Sequence, residues 1–155
     1  MVSIRSGLMA GFIATFVTSA IVQMKNATGT LPEVHIVKAW SALLGDPTHV
    51  AVGWIAHIVV GVVVGGIAFA LLSPRLPTRL FAVKGVVFGI LMWLVMMLVV
   101  MPLAGEGAFA TYQSAVAPAA TLALYLIYGV VLSIFCRSGP DPVKPEKTPD
   151  RSEAS

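Results

Sequence analysis

The sequence predicts an all-α polytopic membrane protein with four transmembrane helices, because very little charge is combined with four long uncharged runs. Of the 155 residues, 57% are hydrophobic and 11% are charged, and the mean hydropathy is +0.91. Soluble domains carry roughly 25% charged residues, so this chain has too few charges to solvate its own surface. The runs are 6–24, 47–74, 85–105 and 107–136, and each reaches the ~18 residues that cross the hydrocarbon core as a helix.

Helices are expected at 5–25, 48–72, 81–101 and 118–136, because a helix satisfies its own backbone hydrogen bonds in lipid. The first segment could instead be a cleaved signal peptide, with Arg5 before an apolar stretch and a poor cleavage site at 18–20. A regular row of small and polar residues interrupts this segment. The apolar region of a signal peptide needs no such row, so a transmembrane helix is the better interpretation.

The basic residues predict the orientation. One side of the bundle carries Arg5, Arg75, Arg79, Lys84 and Arg137, and the other carries Lys25 and Lys38 beside three acids. Because the side richer in Lys and Arg faces the cytoplasm, both termini are expected there. The net charge of +3 is explained by these flanking residues. No basic cluster with interleaved aromatic residues suggests a nucleic-acid partner.

Two segments outside the four helices have distinct patterns. Residues 30–33 read as a capping box, and Val34, Val37, Trp40 and Leu44 follow at helical spacing. This pattern predicts a short amphipathic helix at the outer interface, with Trp40 as its anchor. Residues 137–155 are rich in proline and charge, so a disordered cytoplasmic tail is expected after a transmembrane domain over 1–136.

The domain shows signs of an internal repeat, with halves at 5–72 and 81–136. Gly7-x3-Gly11 opens the first helix and Gly85-x3-Gly89 opens the third, while His57-x3-Gly61 in the second helix aligns with Tyr125-x3-Gly129 in the fourth. Such halves would be related by an axis along the membrane normal. Chance matching of glycines and valines in so apolar a chain is the alternative.

Small residues predict the packing faces, since helices in lipid associate by close backbone approach. They recur at steps of four on the first three helices. The glycines expected to pack helices are Gly7, Gly11, Gly61, Gly65, Gly85 and Gly89.

His57 is the main candidate for a functional residue, because an imidazole within hydrocarbon must find a partner and can titrate. It lies on the small-residue face of the second helix, one turn from Trp54. The structural alternative is a neutral histidine that bridges two helices by a hydrogen bond to Thr15, Ser19 or Tyr125.

Further polar residues are expected near the outer face: Glu33, His49 and Glu106. Together with His57 they have the residue types of a metal site or a proton pathway. Their spacing is not a metal motif, however. Glu33 is explained by the capping box, and Glu106 by a solvated turn.

No cofactor is predicted. The one cysteine excludes an intramolecular disulfide and a Cys-x-x-Cys motif, and no nucleotide-binding or hydrolase motif is present. Methionines of the third helix could be soft copper ligands, but methionine is also an ordinary packing residue.

Several runs resemble a family of small bacterial inner-membrane proteins known only as a domain of unknown function. The runs are Gly53-Trp54-Ile55-Ala56-His57, residues 72–77, residues 84–89 and residues 97–105. The resemblance implies four helices, a bacterial source and the inner membrane. It brings no activity or catalytic residue.

The sequence therefore favours a non-enzymatic integral membrane bundle in contact with the lipid bilayer, either a homo-oligomer or an accessory subunit of another membrane protein. The alternative is a small proton- or metal-ion transporter or channel that uses His57 and the outer-face acids. A membrane enzyme is disfavoured because no reactive constellation is visible.

Overall fold

The computed structural model describes residues 3–29, 36–76, 80–110, 112 and 115–137. This part of the chain contains helices and turns and no strand. Its helices are α1 (Ile4–Thr28), α2 (Ile36–Leu43), α3 (Val50–Arg75), α4 (Phe81–Leu103) and α5 (Ala117–Arg137). The predicted capping box and the predicted tail beyond Arg137 lie outside the described residues.

Four of these helices, α1, α3, α4 and α5, are long and apolar enough to cross a membrane. They match the four predicted segments, with bounds that differ by a few residues. Their outward surfaces carry large apolar side chains, such as Phe12, Phe16 and Ile55, with exposed fractions of 60%, 67% and 64%. Such a surface is compatible with a multi-pass membrane protein, because lipid tails solvate apolar groups that water does not.

The long helices are packed unequally. Helix α1 makes extensive contacts with both α3 and α5, and α4 makes its main contacts with α5. Between α3 and α4 the contacts are sparser: the Phe69 and Phe88 rings meet edge to face at 5.2 Å, and Lys84 Nζ donates to the Ser73 carbonyl at 2.6 Å. The bundle is therefore tightest around α1 and α5 and loosest between α3 and α4.

Glycines bring two pairs of antiparallel helices into backbone contact. In the α1–α3 pair, a Cβ atom on Gly7 would collide with the Gly66 carbonyl, and one on Gly66 with the Gly7 carbonyl. In the α4–α5 pair, Gly85 and Gly129 meet in the same reciprocal way. Only residues without a side chain allow this approach, which is how small residues drive association in lipid.

The two glycine contacts bear on the predicted repeat. Gly7 and Gly85 occupy matching places at the start of α1 and α4, as the comparison of the two halves of the sequence predicts. The glycines that they contact are Gly66 and Gly129. The comparison of the two halves, by contrast, matched Gly129 with Gly61 and not with Gly66. The duplication itself stays a prediction.

Helix α2 folds onto the bundle and contacts α3 and α4. Ile36, Ala39 and Ser41 are buried, and the Val37 carbonyl and Ser41 hydroxyl lie directly against Gly53 of α3. The sequence suggested an interfacial helix anchored by Trp40. In the structure Trp40 is half-buried and packs against the core, because Gly53 leaves a gap that the backbone of α2 fills.

Two π-helical stretches interrupt the long helices, at Val60–Gly65 in α3 and Met96–Val100 in α4. The wider turn of a π-helix is rare and often marks a site with a special role. The stretch in α4 carries Met96 and Met97 into a core that also contains Ile36 and Ala39 of α2. The stretch in α3 borders the cavity described below.

Gly129→Val should lower the free energy of unfolding by ~1–3 kcal/mol, since the new side chain would push α5 away from Gly85. Reversible unfolding in mixed detergent micelles measures this change. Ala123→Val is the control, because Ala123 lies exposed on the same helix. Equal stability of the two variants would contradict the backbone contact.

Candidate functional site

A partly open cavity of about 60 Å³ lies between the helices, bordered by all four long helices and by α2. Ile36 and Trp40 of α2 form part of its wall, and Met92 comes from α4. The polar or aromatic side chains that line it are Thr15, Thr18, Trp40, His57, Tyr125 and Tyr128. By volume, the cavity has room for a few water molecules, since one water needs roughly 10–15 Å³.

His57 joins α3 to α1. Its Nε2 atom lies 3.3 Å from the Ser19 hydroxyl, and the two share a hydrogen bond whose direction depends on the imidazole tautomer. The Trp54 ring meets the His57 ring edge to face, with the centroids 5.8 Å apart and the planes at 87°. Of the three hydrogen-bond partners considered for His57, namely Thr15, Ser19 and Tyr125, the structure shows Ser19.

Tyr128 joins α5 to α3. Its hydroxyl donates to the Gly61 carbonyl at 2.5 Å, within the π-helical stretch. A Cβ atom on Gly65 would collide with the same hydroxyl. Gly61 and Gly65, predicted to pack helices, therefore make room for side chains of α1 and α5, while Gly66 makes the backbone contact.

Thr15 has an unusual position for a polar residue. It is 3% exposed, and its Oγ1 atom lies directly against Gly61. Among the described residues, no group forms a hydrogen bond of acceptable geometry with this oxygen. The nearby Tyr128 hydroxyl gives its hydrogen to the Gly61 carbonyl, so it can accept a hydrogen bond from Thr15 but cannot donate one to it.

The other predicted site residues are not gathered around His57. His49 pairs with Asp46 at the start of α3, with Nδ1 and Oδ2 2.7 Å apart, and its side chain is 71% exposed. Hydrogen bonds from His49 and Thr48 hold the pKa of Asp46 below its ordinary value. Glu106 lies in the turn after α4, where its backbone N–H donates to the Met101 carbonyl, and Glu33 lies outside the described residues.

A metal site receives no support from the described part of the chain. Within it, no three His, Cys, Asp or Glu side chains are grouped so that they could hold an ion. The methionines considered as soft ligands are core residues instead: Met96, Met97 and Met101 are at most 2% exposed. Cys136 is buried where the Ser6 hydroxyl donates to its carbonyl at 2.9 Å.

Comparison with known proteins assigns the family. Residues 1–141 match the family described as "Family of unknown function (DUF6789)". The chain belongs to this family. No curated protein and no solved structure matches it. The assignment confirms the expectation of a family of unknown function, and it supplies no activity.

Sequence reasoning missed the roles that three residues play in the packed helices of this DUF6789 chain. Tyr128 was not singled out, although a tyrosine near the middle of an apolar helix signals a buried hydroxyl that needs a partner. Gly66 adjoins Gly65 and so was hidden by the step-of-four row. Thr15 was considered as a packing residue of the first helix and as a partner for His57, whereas Ser19 takes the latter place.

The hydrogen bond between Ser19 and His57 should couple the two residues by about 0.6–2 kcal/mol, the range for interhelical bonds in membranes. A double-mutant cycle with Ser19→Ala and His57→Leu measures this coupling energy from unfolding in micelles. Ser133→Ala is the control, because the Ser133 hydroxyl donates to Val130 of its own helix. Coupling of His57 to Ser133 as strong as to Ser19 would refute the bond.

Proposed function

We propose that this DUF6789 protein is a non-enzymatic integral protein of the bacterial inner membrane, with both termini in the cytoplasm. In this proposal it acts as a helical bundle that associates with a second copy of itself or with another membrane protein as an accessory subunit. Lipid is its solvent, and it has no nucleic-acid partner and no cofactor.

The observation that carries this proposal is the contrast between the inside and the outside of the bundle. Glycine contacts and side-chain hydrogen bonds hold the long helices together, while the outer surface carries exposed Phe, Ile, Leu and Val side chains. Such side chains suit lipid and neighbouring transmembrane helices. At the cavity, the Ser19 hydroxyl bonds to His57, but among the described residues no third group orients the imidazole as a base, as an activated nucleophile would need.

Proton passage is the second candidate, favoured by the position of His57 on a cavity inside a transmembrane bundle. An imidazole is the side chain that most readily exchanges a proton near neutral pH. Metal-ion passage has less support, because His49 and Glu106 do not join His57 in a ligand cluster within the described residues. The second candidate function is therefore the passage of protons and not of metal ions.

The proposed topology predicts where reporters will be active. Fusions of a periplasm-specific reporter after Arg79 and Arg137 should stay inactive, and fusions near Asp46 and Glu106 should be active, because the basic residues concentrate at the first pair of sites. A cytoplasm-specific reporter at the same sites provides the reciprocal control. Activity of the periplasm-specific reporter after Arg79 would show that the orientation is the reverse of the one proposed.

Proteoliposomes with an entrapped pH dye distinguish the two candidate functions. A non-conducting bundle predicts acidification no faster than in protein-free vesicles when a potassium diffusion potential is imposed. Flux above that level, lost in His57→Leu and retained in His49→Leu, would establish proton passage instead. His49 serves as the control because its side chain lies exposed beside Asp46, at the end of the bundle.

A further inference from the structure

We propose that the cavity beside His57 is an internal hydration site, in which a small cluster of water molecules hydrogen-bonds the Thr15 hydroxyl. The site lies where α1, α3 and α5 meet under α2. The proposal goes beyond the proposed function, since a non-conducting bundle and a proton pathway could both contain such a cluster.

The first step concerns Thr15, whose hydroxyl differs from those of the other buried threonines. Thr18 donates to the Ala14 carbonyl of its own helix at 2.9 Å, and Thr121 donates to the Ala117 carbonyl at 2.8 Å. Thr15 is 3% exposed and forms no such bond with a carbonyl of α1, and the adjacent Tyr128 hydroxyl can accept from it but has no hydrogen left to donate to its oxygen. Buried hydroxyls are nearly always paired with protein or ordered water, so a partner is expected in the adjoining cavity.

The second step concerns the other polar groups of the cavity. The Tyr128 hydroxyl rests on the Gly61 carbonyl, and Thr15 Oγ1 lies against the same glycine, so two hydroxyl oxygens converge at Gly61. Tyr125 and the ring of His57 line the same space. A buried water makes about two to four hydrogen bonds, and these groups can supply them, whereas a purely apolar cavity would stay dry.

The third step is the choice of occupant. A volume of about 60 Å³ has room for a few waters. The described lining residues include no Asp, Glu, Lys or Arg, so a charged solute would lose its hydration without a counter-charge. An apolar occupant would leave the Thr15 hydroxyl unpaired. Water is the small, uncharged hydrogen-bonding molecule that meets all three conditions.

Water-to-protein cross-relaxation measured by NMR tests the site on the full chain in lipid nanodiscs. We expect a cross-peak between water and the Thr15 methyl group. The control is the Thr121 methyl, which belongs to a threonine that is fully buried and bonded within its own helix. A cross-peak at Thr15 and none at Thr121 supports the cluster. No cross-peak at Thr15, or equal intensity at both, overturns it.

Substitution gives an independent readout. Valine replaces the threonine hydroxyl with a methyl of similar size. If water pairs with Thr15, Thr15→Val should lower the midpoint of thermal unfolding. Thr121→Val should lower it as well, because Thr121 loses its own hydrogen bonds. If the cavity is empty, Thr15→Val removes at most a poorly aligned contact with the Tyr128 oxygen, and the midpoint should fall clearly less than in Thr121→Val. That outcome would overturn the proposal, and the NMR measurement decides if a variant does not fold.

Discussion

The backbone contact between glycines of neighbouring helices determines how the rest of this protein is arranged. Lipid tails solvate an apolar helix about as favourably as contact with another apolar helix does. Burial of apolar surface alone therefore contributes little to the association of helices. Gly7 with Gly66, and Gly85 with Gly129, let the backbones of α1 and α3 and of α4 and α5 touch. Dispersion contacts then form over the length of each pair, and the pairs behave as the two structural units of the bundle.

The contact between the α1–α3 pair and the α4–α5 pair explains the position of the cavity. Helix α5 packs against α1, and the Ser6 hydroxyl donates to the Cys136 carbonyl at one end of that contact. Helices α3 and α4 have no matching glycine contact and meet through sparser interactions. Space therefore remains inside the bundle, and α2 covers it by packing its backbone against Gly53. Polar side chains that cannot face lipid turn into this space.

Much of the fold could be predicted because lipid imposes simple rules. The four uncharged runs predicted the four long helices. The free-energy cost of an unpaired imidazole in hydrocarbon predicted that His57 would bond to a polar group of another helix, which is the Ser19 hydroxyl. The docking of α2, the π-helical stretch at Val60–Gly65 and the choice of Gly66 over Gly61 could not be predicted. These features depend on which surfaces meet in three dimensions, and periodicity along one helix does not contain that information.

The candidate site was predicted only in part, for the same reason. His57 was identified by its chemistry, but His49 and Glu106 were added because the predicted topology puts them on the same side of the bundle, and sharing a side does not bring side chains together. Glu33 lies outside the described residues. Among the described residues, Thr15, Tyr125 and Tyr128 line the cavity beside His57 together with apolar side chains. Hydroxyls are common in apolar helices, so their convergence is visible only once the helices are packed.

Solid-state NMR of the labelled chain in lipid bilayers tests the glycine contacts most directly. Through-space carbon–carbon cross-peaks should connect Gly7 with Gly66 and Gly85 with Gly129, because in each pair one backbone lies against the other. Gly29 and Gly45 serve as internal controls, since neither has a neighbouring atom where its side chain would be. Absence of both interhelical cross-peaks, in a sample whose sequential glycine peaks are resolved, would contradict the account.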